Sequence, residues 1–338
     1  MTASSARNAW AGGVLCDRAC YGHGPQHPSL LIEHFDGVQW TRLSAPSGEK
    51  GVTNGITSIG GTPSDLWATA ESTVQTSQSQ TTISYLLHRQ HGQWGVRRFP
   101  DNTLVGNLVV FGPSDVWAFG VTPREQGFAM HFNGRTWRRF PLAVAPQAVS
   151  ATSASDIWLI GEVPANKLPR PRKSDAIAER WNGRKWLKVA VPAVTAPPGF
   201  AGAAVGGTGV AAGPGEFWAS ISLGTSTGCC ALGGLLHLKN GSWHKVAVPG
   251  FVKFGGPLAL DGHGGIWLIG GSGNQFWLLH YQGGRWSRTP DPKVKGGVIA
   301  ASSLTWIPHT TSVWATASLD PPSDSFGFSQ AAVLKFGR

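Results

Sequence analysis

The sequence predicts an all-β fold, a seven-bladed β-propeller of four-stranded antiparallel blades, and three observations carry the prediction. One tryptophan landmark recurs seven times along the 338 residues, a second follows it six times, and turn-forming dipeptides sit at regular offsets between them. Composition agrees, because 46 Gly and 16 Trp with only 14 % charged residues fit short strands joined by glycine turns better than helices.

The first landmark is a Trp flanked by small and apolar residues: NAWAGG at Trp10, SDLWATA at Trp67, SDVWAFG at Trp117, SDIWLIG at Trp158, GEFWASI at Trp218, GGIWLIG at Trp267 and TSVWATA at Trp314. Its spacing near 50 residues lies in the range of propeller blades. The second landmark is an apolar strand, commonly a His, a Gly turn and another Trp, at Trp40, Trp94, Trp137, Trp186, Trp243 and Trp286. The seventh copy, VLKFGR, stops at the turn.

Each unit reads as four strands, A to D from the centre outward. Strand A is a small, apolar segment such as LVVFG, B carries the first Trp, C ends at the His, and D carries the second Trp. The A-to-B link is short, and Asp or Ser there bonds its own backbone to hold a turn. In the C-to-D link, Asp36-Gly37, Asn133-Gly134, Asn182-Gly183 and Asn240-Gly241 suit hairpin turns with positive φ.

A lone four-stranded sheet cannot bury both faces, but radial packing covers each face with a neighbour. The thirteen landmark Trp residues are therefore expected to fill the spaces between blades, using ring N–H as well as bulk. The recurring His34, His88, His131, His237 and His280 occupy one slot, taken by Arg180 and Lys335 in two copies, and are expected to be structural. Five histidines in five blades cannot converge on one metal, so no metal and no cofactor are expected. Strand D of the last blade is missing and residues 2–5 give only the tail of strand A in the first. Either the ring of this single propeller domain, residues 1–338, closes with one thin blade, or the domain is excised from a longer chain, and excision is the favoured expectation.

The Ser-Asp-x-Trp-Ala-x-Gly strand followed by His-x-Asn-Gly-x-x-Trp resembles the repeat of bacterial extracellular propellers related to the kelch, galactose-oxidase central-domain and Asp-box groups. The resemblance covers essentially the whole chain and implies architecture. It implies little about activity, since such propellers serve as lectins, glycan-cleaving enzymes, receptor sensor domains and interaction scaffolds. The kelch double glycine is only partly present, the nearest fragment of the Asp-box is Asn133 to Trp137, and the WD dipeptide is absent at the ends of strand D.

The A-to-B and C-to-D turns share one rim of such a ring, and the B-to-C and D-to-A loops share the other. The B-to-C segments differ in every copy, from LCDRACYGHGPQHP after Trp10 to a short GSGN after Trp267, which makes that rim the expected binding surface. All four cysteines fall in two of these loops, Cys16 and Cys20 in the first blade, Cys229 and Cys230 in the fifth. Bridges across the ring exceed disulfide reach, so pairing within each loop and an oxidising compartment are expected, with reduced thiols as the alternative. The fourth loop holds Lys167, Arg170, Arg172 and Lys173 between prolines, suited to a carboxylated or sulfated glycan or an acidic protein, or else simply solvated.

The net charge of +10 raises nucleic acid as a partner. Six of the cations, Arg42, Arg97, Arg139, Lys188, Lys245 and Arg288, follow the second Trp on the outer strand, where charge discourages edge pairing, so no specific nucleic acid is expected. No apolar run approaches a membrane span. The leading expectation is a secreted or surface-displayed monomer that binds a glycan or an extracellular protein. Arg124, Arg170, Arg172 and Lys173 are the candidates to orient anionic groups, and Cys229, Cys230, Phe326 and Phe328 to offer surfaces for sugar faces. The rivals are a polysaccharide lyase or glycosidase and a protein-interaction scaffold. Glu71 and Glu162 occupy equivalent positions past strand B but in blades separated by a third, and Tyr21, His23 and His27 form the one cluster of lyase type.

Overall fold

The computed structural model describes residues 1–15, 29–46, 52–75, 80–162, 177–192, 194, 204–225, 228–272, 275–289, 298–320 and 330–337. They form seven antiparallel sheets, and among them there is no helix. Blade 1 comprises β1 (Thr2–Ser5), β2 (Asn8–Leu15), β3 (Ser29–Phe35) and β4 (Trp40–Leu43). Blade 2 comprises β5 (Val52–Thr62), β6 (Asp65–Gln75), β7 (Gln80–Gln90) and β8 (Gln93–Arg98). Blade 3 holds β9 (Leu104–Gly112), β10 (Asp115–Val121), β11 (Gly127–Phe132) and β12 (Trp137–Pro141). Blade 4 holds β13 (Ala145–Ser153), β14 (Asp156–Glu162), β15 (Ile177–Trp181) and β16 (Trp186–Ala190). Blade 5 is β17 (Ala204–Gly213), β18 (Glu216–Thr225), β19 (Gly228–Lys239) and β20 (Ser242–Val246). Blade 6 is β21 (Phe254–Leu260), β22 (Ile266–Ser272), β23 (Gln275–Gln282) and β24 (Arg285–Thr289). Blade 7 has three strands, β25 (Val298–Trp306), β26 (Val313–Asp320) and β27 (Gln330–Phe336), as the missing second landmark predicts.

Strands follow one another in space as in sequence within every sheet, so each blade is a meander built from local hairpins. The C-to-D turns are of two kinds. In blades 2, 5 and 6 two residues suffice, and both adopt positive φ: His91 and Gly92, Asn240 and Gly241, Gly283 and Gly284. In blades 1, 3 and 4 four residues are used, and the Asp36, Asn133 or Asn182 side-chain oxygen accepts two backbone N–H groups at 2.8–3.0 Å while Gly37, Gly134 or Gly183 takes the positive φ.

The core is divided into seven buried clusters, one for each interface between neighbouring blades. Trp10 with Leu66 and Leu87 joins blades 1 and 2, and Trp67 with Val116 and Phe128 joins 2 and 3. Trp117 with Ile157 joins 3 and 4, Trp158 with Phe217 joins 4 and 5, Trp218 with Leu268 joins 5 and 6, and Trp267 with Val313 joins 6 and 7. Ala9, Ile307 and Trp314 close the ring between 7 and 1. Small residues on strand A let blades meet near the axis: a Cβ added to Gly209 would stand 2.6 Å from the Gly256 carbonyl oxygen of the next blade.

Two expectations need correction. Among the described residues the buried indole N–H groups of Trp10, Trp117, Trp218 and Trp314 have no hydrogen-bond partner, so these strand-B residues serve by bulk and ring contact, whereas Trp67 and Trp267 do donate, to Asp65 Oδ1 and Thr311 O. The B-to-C segments of blades 2 and 5 are largely strand rather than loop. Pairing continues to Gln75 opposite Gln80 and to Thr225 opposite Gly228, so two hairpin arms extend beyond the ring.

Candidate functional site

On the turn rim the structure assembles a repeated unit that the sequence only half discloses. An acid at or just before strand B accepts a hydrogen bond from the strand-C histidine of its own blade: in blades 2, 3 and 5 it opens strand B, with His88 on Asp65 at 3.2 Å, His131 on Asp115 at 2.8 Å and His237 on Glu216 at 2.8 Å, and in blade 6 it starts the A-to-B turn, with His280 on Asp261 at 2.9 Å. In blade 1, Asn8 replaces the acid and meets His34 at 2.6 Å. Each imidazole also lies on the strand-B indole, with ring centroids 3.7–4.3 Å apart. Each of these five histidines is thus held by one acid or amide and one indole in its own blade. Burial lowers the pKa of His237 against the opposing pull of Glu216, and lowers that of His34 against Asp36. Among the described residues no group of three or more His, Cys, Asp or Glu could hold a metal ion.

Blade 4 departs from the pattern. Arg180 takes the histidine slot, bonds Asp156 Oδ1 through Nε at 2.6 Å and stands 5.1 Å over the Trp158 ring. Facing it across the interface, blade 5 offers Gly213, Gly215 and Gly241, and the missing side chains leave a cleft of about 120 Å³ that Glu216 and Leu238 also line. The cleft combines guanidinium donors with two carboxylate acceptors, a mixture suited to hydroxyl groups. Its signal in the sequence was Arg180 interrupting the run of histidines.

The loop rim is where the chain varies. Between strands B and C the blades insert from two residues (226–227, 273–274) to fourteen (163–176), while the A-to-B link is two residues in five of the seven blades. Arg124 lies exposed on this rim in the turn from 122 to 126, where Glu125 adopts positive φ and Gln126 N–H donates to Thr122 Oγ1. Arg170, Arg172, Lys173, Phe326 and Phe328 lie outside the described residues, as do Cys16, Cys20, Tyr21, His23 and His27. Cys229 and Cys230 stand on β19, near the tip of the blade 5 arm, where a loop was expected. Of the candidates to orient anionic groups, only Arg124 falls among the described residues.

Two half-buried or buried carboxylates stand apart from the repeated unit. Glu71, on β6, has its pKa raised by burial. Glu162 ends β14, with blade 3 between the two. Glu179, which the sequence did not single out, is 3 % exposed and accepts the Ala143 and Val144 N–H groups through Oε1 at 2.6 and 3.2 Å, tying the link from blade 3 into blade 4. Burial raises its pKa above the usual 4.5, opposed by these two bonds and by Lys188. A raised folded value means that the stability from this group is complete below about pH 4.5 and is lost as pH rises through the folded value. Glu179→Gln, which keeps an accepting oxygen, is expected to match or exceed the parent at neutral pH and to flatten stability between pH 4.5 and neutrality, read from denaturant midpoints across that range.

No family model matches the chain, and no curated protein does. Solved structures resemble this chain only at low identity. The α-L-arabinanase of Penicillium chrysogenum, complexed with arabinobiose, is 13 % identical over 82 % of this chain and 92 % of its own, with a TM-score of 0.46. The Aleuria aurantia lectin, a fucose-recognising six-bladed propeller, is 13 % identical over 78 % and 93 %, with 0.42. The Cps50 (Swd1) propeller domain of Myceliophteria thermophila is 12 % identical over 94 % and 96 %, with 0.45. At these identities ligand chemistry does not transfer between chains.

Proposed function

We propose that this propeller is an extracellular binding module that takes an anionic glycan on its loop rim. The observation that carries the reading is the unequal treatment of the two rims: short, internally hydrogen-bonded turns on one, and insertions of two to fourteen residues with two projecting arms on the other. A net charge of +10 favours carboxylated or sulfated ligands over neutral ones. Arg124 and the basic segment Arg170, Arg172 and Lys173 are the cations assigned to this role, since in sequence they follow the strands B of consecutive blades. The kelch-like and Asp-box-like kinship is part of the same proposal and rests on the repeat motifs alone.

An array of uronate-containing and sulfated glycans, probed with the 338-residue protein at physiological salt, tests the reading. Binding is expected, and the combined change Arg170→Ala, Arg172→Ala and Lys173→Ala should weaken it about tenfold or more by removing charge-assisted contacts, with the unfolding midpoint unchanged. Absence of binding to every acidic glycan would remove the proposal. Export to an oxidising compartment implies that Cys16 pairs with Cys20 and Cys229 with Cys230; thiol titration of unreduced, denatured protein should then find no free thiol.

A further inference from the structure

We infer that the cleft between blades 4 and 5 on the turn rim is a second binding site, built for one neutral sugar residue. It lies on the rim opposite the segments assigned to the anionic glycan and does not rest on that reading. The repeat shows how the space arises. The residue after the histidine slot of strand C, opposite the residue that precedes the first Trp, is aromatic in blades 1, 3, 4 and 6: Phe35, Phe132, Trp181 and Tyr281. Each packs its ring against the first Trp of the preceding blade, Trp314, Trp67, Trp117 or Trp218, at centroid distances of 5.0 to 5.9 Å. In blade 5 the same position is Leu238, opposite Phe217. Phe217 is fully buried and takes over the ring contact with Trp158 at 4.6 Å, so the smaller Leu238 leaves the space toward the rim unfilled. Gly215 keeps its mouth open: Ser114 and Ser155 hold the equivalent position in blades 3 and 4, and a Cβ added to Gly215 or Gly241 would meet nothing within 4 Å.

The polar groups around this space have bonding capacity to spare. Arg180 bonds Asp156 through Nε alone, and its two Nη groups donate to nothing among the described residues; the side chain is 44 % exposed, so a ligand reaches them from solvent. His237 takes Oε2 of Glu216 at 2.8 Å, and Oε1 has no hydrogen-bond partner among the described residues. Both oxygens of Asp156 are already used, by Arg180 and by the Thr152 hydroxyl, so this residue contributes charge alone.

These groups select the occupant. One guanidinium against two carboxylates disfavours an anion, and an ammonium offers no acceptor to the Nη donors. A pair of adjacent hydroxyls satisfies both sides, accepting from Arg180 and donating to Glu216 Oε1, while Trp158 and Leu238 give an apolar wall for the C–H face of the same ring. The volume of about 120 Å³ restricts the ligand to a free monosaccharide or the terminal residue of a chain.

The test titrates the methyl glycosides of glucose, mannose, galactose and xylose into the isotope-labelled 338-residue protein and follows its N–H signals by nuclear magnetic resonance. At least one should bind saturably, with a dissociation constant on the order of 1 mM, the scale open to a ligand of about a dozen non-hydrogen atoms. The shifts should centre on the Gly213, Gly215 and Gly241 amides and Arg180 Nε–H. Arg180→His and Leu238→Phe each install the residue type that other blades carry at that position, so the unfolding midpoint should hold. The first removes the free donors and the second fills the space, and each should weaken binding about tenfold or more. The combined change Arg170→Ala, Arg172→Ala and Lys173→Ala should leave glycoside binding unaltered, which separates this site from the anionic one. No saturable binding of any of the four, shifts centred elsewhere on the ring, parent-like binding by either single variant, or loss of binding in the triple variant would each overturn the inference.

Discussion

Trp117→Ala is expected to lower the stability of the ring by about 4 kcal/mol, the middle of the range for emptying a core aromatic site. Trp117 is 1 % exposed and carries no hydrogen bond, so the loss is one of packing and ring contact alone. It touches Phe119, His131 and Phe140 of its own blade and Trp181 and Trp186 of the next, at centroid distances of 4.3 to 6.3 Å. Rigid aromatic neighbours on both sides cannot collapse into the space. Guanidinium unfolding followed by circular dichroism reads the shift. A loss under about 1 kcal/mol would mean that the interface between blades 3 and 4 is not held by this indole.

Asp261→Ala should cost about as much by a different route. Asp261 is 0 % exposed; its Oδ1 accepts the His263 and Gly265 N–H groups at 2.8 and 2.7 Å, and its Oδ2 accepts from His280 at 2.9 Å. The carboxylate replaces the two-residue turn of other blades by organising five residues, 261–265, with Gly262 and Gly264 at positive φ. Removing it leaves the buried Gly265 N–H unpaired at about 1–3 kcal/mol and takes the partner from the part-buried His263 N–H and His280 ring, roughly 3–5 kcal/mol in all. Asp261→Asn retains the amide-facing oxygen and should recover more than half of the loss. Equal losses for the two variants would show that charge, rather than oxygen placement, holds this turn.

The ring was legible because its signals are local and repeated. Each Trp117-type residue announces a strand B, and each Asn-Gly or Asp-Gly announces the turn between C and D, so seven copies could be counted without any long-range inference. The absent fourth strand of blade 7 was legible for the same reason. The pairing of Asp115 with His131 was not, because a turn-forming Asp in sequence reads as bonding its own backbone, and only the sheet register places the imidazole across from it. The arms of blades 2 and 5 were also missed. Segments such as Thr73 to Gln75 and Gln80 to Thr82 hold a single apolar residue, Val74, so they lack the apolar alternation that marks a strand, although they pair to the end. The functional rim was legible as a location but not as a pocket, since unlike loops carry no repeat from which their arrangement follows.

The join between the last blade and the first differs from the other six in a way that governs how the molecule comes apart. Successive blades elsewhere are tethered by the polypeptide itself; within these 338 residues, no peptide link spans this seam, and among the described residues it is held by three buried residues with Met1, Ala3, Phe35, Trp40 and Val333 packed against them. Mechanical pulling on both ends should therefore meet its first yield there, and amides bordering Ala9 and Trp314 should exchange before those around Trp117. The circle is closed by adhesion rather than by connectivity, which makes its weakest point a matter of geometry and not of composition.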